Sequence, residues 1–215
     1  TTYLERDIPL LGSRIPATTL RRFWTMLAHY QGGIYHAAQM ARNLEVTGNT
    51  VAGYLDLLFD LLLVRRLSPY HANVKKRLVK SPKVYLRDSG LVHALLGINS
   101  PDALLSHPVV GMSWEGYVLE NLLRMAPERS KASFYRTATG VEIDLVLELP
   151  DNRLWAVEIK RTTAPKMERG FHQALDDIKP DRAFIIYGGK ERYPKASNVE
   201  AISLYGLTQE LANLT

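Results

Sequence analysis

The 215-residue chain has no cysteine. Disulfides and thiolate metal sites are therefore excluded, and the composition fits a reducing interior. No apolar run approaches the ~18 residues that a membrane span needs, so no membrane partner is expected. No secretory leader is visible, and the chain reads as cytoplasmic. It opens on Thr-Thr-Tyr-Leu without an initiator Met, which reads as a piece of something longer. Gly-x-x-x-x-Gly-Lys-Ser/Thr occurs nowhere, so the chain cannot cradle a nucleotide as a P-loop does. The six histidines show no His-x-x-x-His spacing, and there is no Gly-x-Ser-x-Gly elbow. Internal repeats and low-complexity segments are also missing.

What is present is ordinary in amount and uneven in place. Hydrophobic residues make up 46% and charged residues 23%, as in globular proteins generally. A chain of this size buries roughly 70% of its unfolded surface without needing a staple. Net charge is +5. Residues 1–100 carry thirteen Lys and Arg against six Asp and Glu, while residues 101–215 carry fourteen against sixteen. Arg65 to Arg87 holds eight basic residues and no acidic one. Such a block suits a polyanion or a solvated loop.

Residues 1–16 form a leading segment broken by Pro9, Gly12 and Pro16. From Ala17, Leu20, Phe23, Trp24, Leu27 and Ala28 recur at helical spacing, and Gly32-Gly33 ends that helix. Ala37–Leu44 reads as a second helix. Thr47 or Asn49 can cap a third, with Val51, Tyr54, Leu55, Leu58 and Leu62 inward. This spacing resembles a winged helix-turn-helix, with the basic block as its wing. The outer face of the third helix shows Gly48, Asn49, Ala52, Gly53, Asp56 and Asp60, with no Arg or Lys to meet base edges. Phosphate contact through Lys75, Lys76, Arg77, Lys80 and Lys83 of the wing fits better. Asp88 reads as the cap of a short helix closed by Gly97. The loop-rich stretch 98–110 is the expected domain boundary, giving domains 17–97 and 98–215.

The second half reads helix (Ser113–Met125), three strands (Ala132–Thr137, Val141–Leu149, Arg153–Lys160), helix (Met167–Ile178), two strands (Ala183–Tyr187, Val199–Leu204) and helix (Leu207–Leu214). The fold class is therefore mixed α/β. By period-two alternation, Ile143, Leu145 and Leu147 share one face while Glu142 and Asp144 share the other. Glu158 and Lys160 point the same way. The turn Pro150-Asp151-Asn152 pairs the two runs as a hairpin, which brings Asp144 toward Glu158 and Lys160. On the helix, Trp114, Val118, Leu122 and Met125 set an apolar stripe, and Glu115 falls inside it. A buried carboxylate is costly unless paired or bound to metal, so Glu115 calls for a partner. The competing reading is a salt-bridged hairpin, Glu158 with Lys160 and Arg161 or Arg136 nearby.

The order of a helix Glu, a strand Asp and a Glu-x-Lys on the next strand resembles the PD-(D/E)xK nuclease-like superfamily, and the αβββαβ element order resembles its restriction-endonuclease-like domain. That resemblance implies that Asp144 and Glu158 hold Mg²⁺ or Mn²⁺ with the Ile159 carbonyl. It implies further that Glu115 is an outer or second-metal ligand, and that Lys160 orients a water or steadies negative charge. Gln173 would face the site. A wider series, Tyr3-Leu4-Glu5-Arg6-Asp7, Lys76 to Leu91, Trp114-Glu115-Gly116, Gly140 to Asp144 and Val157 to Lys160, is similar to the C-terminal region of a prokaryotic AAA+ ATPase family. That region is a domain of unknown function with a winged helix before a nuclease-like fold. Ser89 and Ile143 stand where Thr and Val are more usual, without a change of charge. The resemblance implies an upstream ATPase module, which alone would bind ATP. Three functions follow as expectations: a Mg²⁺-dependent nuclease on DNA, a catalytically silent module that binds nucleic acid or docks the ATPase, or a passive oligomerisation domain.

Overall fold

The structure, a computed structural model, describes residues 15–71 and 76–214. They build a mixed α/β chain of eight helices and nine strands. They fall into two compact units: the described chain up to Arg66 with Val84–Val110, and Leu67–Lys83 with the chain from Gly111 onward. Among the described residues, no helix is long and apolar enough to cross a membrane.

In the first unit, helix α1 (Ala17–His29) buries Leu20, Phe23, Trp24, Leu27 and Ala28, the expected stripe. Helix α2 (Ala37–Leu44) ends where Glu45 turns left-handed at φ 58°. Helix α3 (Gly48–Asp60) starts on Thr47, whose hydroxyl accepts from the Thr50 amide at 3.1 Å. Phe23 meets Tyr54 edge to face at 5.9 Å. Strands β1 (Gly33–Ile34), β3 (Lys83–Leu86) and β2 (Val64–Pro69) lie in that order. The Gln31 side chain pins Leu86 by donating to its carbonyl at 3.1 Å and accepting from its amide at 2.8 Å. Asp88 caps helix α4 (Ser89–Leu95) by accepting from Leu91 N at 3.0 Å. Leu62 is 68% exposed rather than inward, because α3 stops at Asp60 and Leu62 takes φ 58°.

Residues 98–110 differ from expectation. They contain helix α5 (Pro101–Ser106), capped by Ser100, whose hydroxyl accepts from Ala103 N at 3.2 Å. Pro101 sits at the start of the helix, where its missing N–H costs nothing. Ile98, Leu104 and Val109 pack on the first core, so this stretch belongs to the first unit.

In the second unit, helix α6 (Val110–Met125) precedes strands β4 (Lys131–Arg136), β5 (Glu142–Glu148) and β6 (Leu154–Ile159). Helix α7 (Arg169–Ile178), β7 (Arg182–Tyr187), β8 (Tyr193–Ala196), β9 (Val199–Ser203) and helix α8 (Leu204–Ala212) follow. The strand order is β4-β5-β6-β7-β9-β8. The first three are antiparallel, β6–β7 and β7–β9 are parallel, and β8 returns antiparallel to β9. Sequence reasoning missed β8. It is an edge strand, and Pro194 and Lys195 hide its alternation as edge strands tolerate. Gly140, at φ 88°, closes the β4–β5 turn in a region closed to most side chains.

Residues 72–75 of the expected wing, Lys75 among them, lie outside the described residues. Within the second unit, described residues on either side of that stretch bond to β4 and to the residues that follow it. The amides of Tyr70, Val79 and Ala138 donate to Phe134, Arg136 and Arg77 carbonyls at 2.6, 2.9 and 2.8 Å. Leu78 bridges Thr137. Tyr70, Arg77 and Val79 thereby satisfy backbone groups in and just after β4.

Strand β5 carries an extra residue. Ser133 and Tyr135 of β4 pair with Val146 and Ile143, so two steps on β4 span three on β5. Such a bulge re-aims side chains. Ile143 therefore joins Val146, Tyr135, Ala156, Phe171 and Ala174 in one cluster. The strict alternation expected for Ile143, Leu145 and Leu147 is broken at Asp144–Leu145. Leu145, Leu147, Trp155, Val157, Phe184 and Ile186 are buried as well, so the central strands are covered on both faces.

Candidate functional site: a buried cluster of carboxylates and ammonium groups

The bulged end of β5 and the end of β6 meet in register. The ladder ends with Leu145 paired to Val157, and the next residues, Asp144 and Glu158, lie close enough for their charges to interact. The Asp144 carboxylate leaves the strand direction and accepts from Ile159 N at 2.8 Å. Glu158 is 8% exposed and holds the Lys160 ammonium at 2.9 Å. Lys160 reaches on to Glu168 at 3.3 Å. Asp144, Glu158 and Lys160 are thus brought together, and Ile159 is tied to Asp144 through its backbone.

Glu115 comes from α6, whose Val118, Leu119 and Leu122 are fully buried. That apolar stripe carries Glu115 inside at 4% exposure. Its partner is Lys83, at the start of β3, with Nζ 3.0 Å from Glu115 Oε1. Lys83 is also 2.6 Å from Glu142 Oε1 and 3.8 Å from Asp144 Oδ1. Glu142 is shared with Arg136 at 2.6 Å. Sequence reasoning placed Lys83 on a phosphate-binding wing, whereas the structure buries it to 3% exposure. The available signal was its place in Lys83-Val84-Tyr85-Leu86, a strand whose four residues are all buried. A lysine in such a run needs a carboxylate partner.

The electrostatics follow from crowding. Burial, then the Glu115 and Glu158 charges, push Asp144 well above the usual carboxylate range, with Lys83 and the Ile159 amide opposing. Burial raises Glu158 too. Lys160 opposes that shift, while Glu142 and Glu168 add to it. Lys160 loses some proton affinity to burial, but Glu158 and then Glu168 outweigh that and raise it above an ordinary lysine. A buried carboxylate crowded as Asp144 is would be relieved by a hard cation, which favours oxygen donors. The donor chemistry fits Mg²⁺ or Mn²⁺. Among the described residues, however, no three carboxylate or imidazole groups are gathered closely enough to hold a metal ion.

The other expected residues lie elsewhere. Lys75 is outside the described residues. Lys76 is bound to Asp177 at 2.7 Å, and Asp177 also accepts from Tyr135 Oη at 2.7 Å. Arg77 and Lys80 are exposed, and Gln173 is half-buried on α7. In the first unit, Asp56 on the outer face of α3 pairs with Arg66, whose guanidinium sits 4.8 Å over the Phe59 ring.

Residues 1–102 match a family model described as a domain of unknown function, DUF8612, and residues 110–207 match another so described, DUF4143. Uncharacterized proteins of Mycobacterium bovis and Mycobacterium tuberculosis are each 47% identical over 203 residues, covering 94% of this chain. The chain spans 45% of the length of each of these relatives. A solved half-complex of a tetradecameric assembly of Thermococcus gammatolerans McrB AAA+ hexamers with bound McrC aligns over 92% of this chain and 52% of that one. Its identity is 11% and its TM-score 0.36, which is too slight a likeness to carry an argument.

Proposed function

We propose that the second unit is a PD-(D/E)xK nuclease-like module. In a longer protein it would serve an AAA+ ATPase, binding Mg²⁺ or Mn²⁺ and acting on the phosphodiesters of DNA. One observation carries this reading. Asp144 accepts from the Ile159 amide beside Glu158 where the β5–β6 ladder ends, with Glu115 adding its charge and Lys160 bound to Glu158. The motif series running from Lys76 to Lys160 supports the link to the ATPase family, and the helix order of the first unit supports a winged-helix-like partner. ATP binding would belong to a module outside this chain.

Asp144, Glu158 and the Ile159 carbonyl would hold the ion, with Glu115 as an outer or second ligand. When bound, the ion supplies Lewis acidity and a water of lowered pKa. The Lys160 ammonium, oriented by Glu158 and Glu168, steadies negative charge on the phosphoryl oxygens. Arg77 and Lys80, with Lys75 and Lys76, would meet the DNA backbone.

The test is incubation of supercoiled and branched DNA with the protein in Mg²⁺ or Mn²⁺. Wild type cleaves, while Asp144→Asn and Lys160→Ala do not. Cleavage that survives both substitutions refutes the enzymatic reading. A second reading, a silent DNA-binding or ATPase-docking module, is favoured by the Lys83 ammonium, which holds Glu115 and Glu142. It predicts salt-dependent DNA binding, weakened by neutralising Arg77 and Lys80, without cleavage under any metal.

A further inference from the structure

Lys83 takes up two of the donors assigned to the metal. Its ammonium lies 3.0 Å from Glu115 and 3.8 Å from Asp144. We propose that Lys83 is the resident counter-cation of the carboxylate cluster and competes with a divalent cation for Glu115 and Asp144. The inference rests on the metal-binding reading and names what limits it.

Three observations lead there. The ammonium is nearly dry, since the Lys83 side chain is 4% exposed and the Phe134 ring lies 5.6 Å away. A monovalent and a divalent cation over the same two carboxylates repel strongly where solvent is excluded. Glu142, at 2.6 Å and more open at 21% exposure, offers the ammonium a berth once Glu115 and Asp144 turn to a metal. Lys83 is thus a positioning residue that sets metal affinity rather than a group that touches substrate.

The experiment is calorimetric titration with Mn²⁺ of wild type, Lys83→Met, Lys83→Arg and Asp144→Asn. Lys83→Met binds Mn²⁺ at least about tenfold more tightly than wild type, as loss of an adjacent like charge requires. Lys83→Arg, which keeps the charge, stays near wild type, and Asp144→Asn does not bind. Thermal melts provide a second readout. Mn²⁺ raises the melting temperature of Lys83→Met by more than that of wild type. If Lys83→Met does not fold, Lys83→Met/Glu142→Gln removes one charge of each sign and replaces it in both assays. Affinity equal to or weaker than wild type, with Asp144→Asn still abolishing binding, overturns the competition but leaves the metal site standing. No Mn²⁺ binding by any variant overturns both.

Discussion

Lys83 and Glu115 should show an asymmetric dependence on one another. Both are nearly dry, at 3% and 4% exposure. Removing one partner of a buried ion pair costs about 3–5 kcal/mol. Lys83→Met takes the shared cation from Glu115, Glu142 and Asp144 together, so the full cost of about 3–5 kcal/mol is expected. Glu115→Gln leaves Lys83 with Glu142 at 2.6 Å and Asp144 at 3.8 Å. Its cost should be smaller, about 1–2 kcal/mol, the scale of one charged hydrogen bond. The double variant should lose less than the two singles together, with a coupling of about 1–3 kcal/mol. The assay is urea unfolding followed by tryptophan fluorescence in a Trp24→Phe background. There Trp114 and Trp155 report on the second unit alone, and unchanged slopes license the comparison. A Lys83→Met cost below that of Glu115→Gln, or no coupling between them, refutes the shared-cation account.

Asp144 holds its proton more tightly in the fold than a free carboxylate does, because burial and the neighbouring Glu115 and Glu158 raise it. The stability this provides is complete below the unfolded carboxylate value and is lost as pH rises through the folded one. Asp144→Asn, whose amide oxygen still accepts from Ile159 N, should therefore melt above wild type near about pH 8, and the gain should shrink toward about pH 4. The opposite trend would refute the crowding. Asp177→Asn should loosen the Lys76 tether, so trypsin cleavage after Arg77 or Lys80 should quicken; unchanged cleavage means the backbone bonds to β4 suffice. Thr47→Ala removes the α3 cap and should cost about 1 kcal/mol in urea unfolding, with a shift well below half that value counting against the cap.

Local signals were read well from the chain because they need only near neighbours. The α1 stripe, the Thr47 and Asp88 caps and the turn at Asn152 all depend on residues within a few positions. The meeting of Asp144 with Glu158 was also legible, since a hairpin joins them. The role of Lys83 was not. Its partner Glu115 lies 32 residues away, and charge counting put it with its sequence neighbours Lys76, Arg77 and Lys80. The β5 bulge was hidden for a related reason. Alternation within a strand cannot reveal an extra residue that is defined only against β4.

The segment Leu67–Lys83 belongs to the second unit although it is embedded in the sequence of the first. Severing the polypeptide near residue 110 would therefore not yield two intact halves. The downstream piece would lack the ammonium that neutralises Glu115 and the segment that lines β4, and the upstream piece would carry an orphaned loop. A shorter functional version has to be spliced, with Leu67–Lys83 grafted ahead of α6, so independence along the chain is not independence in space.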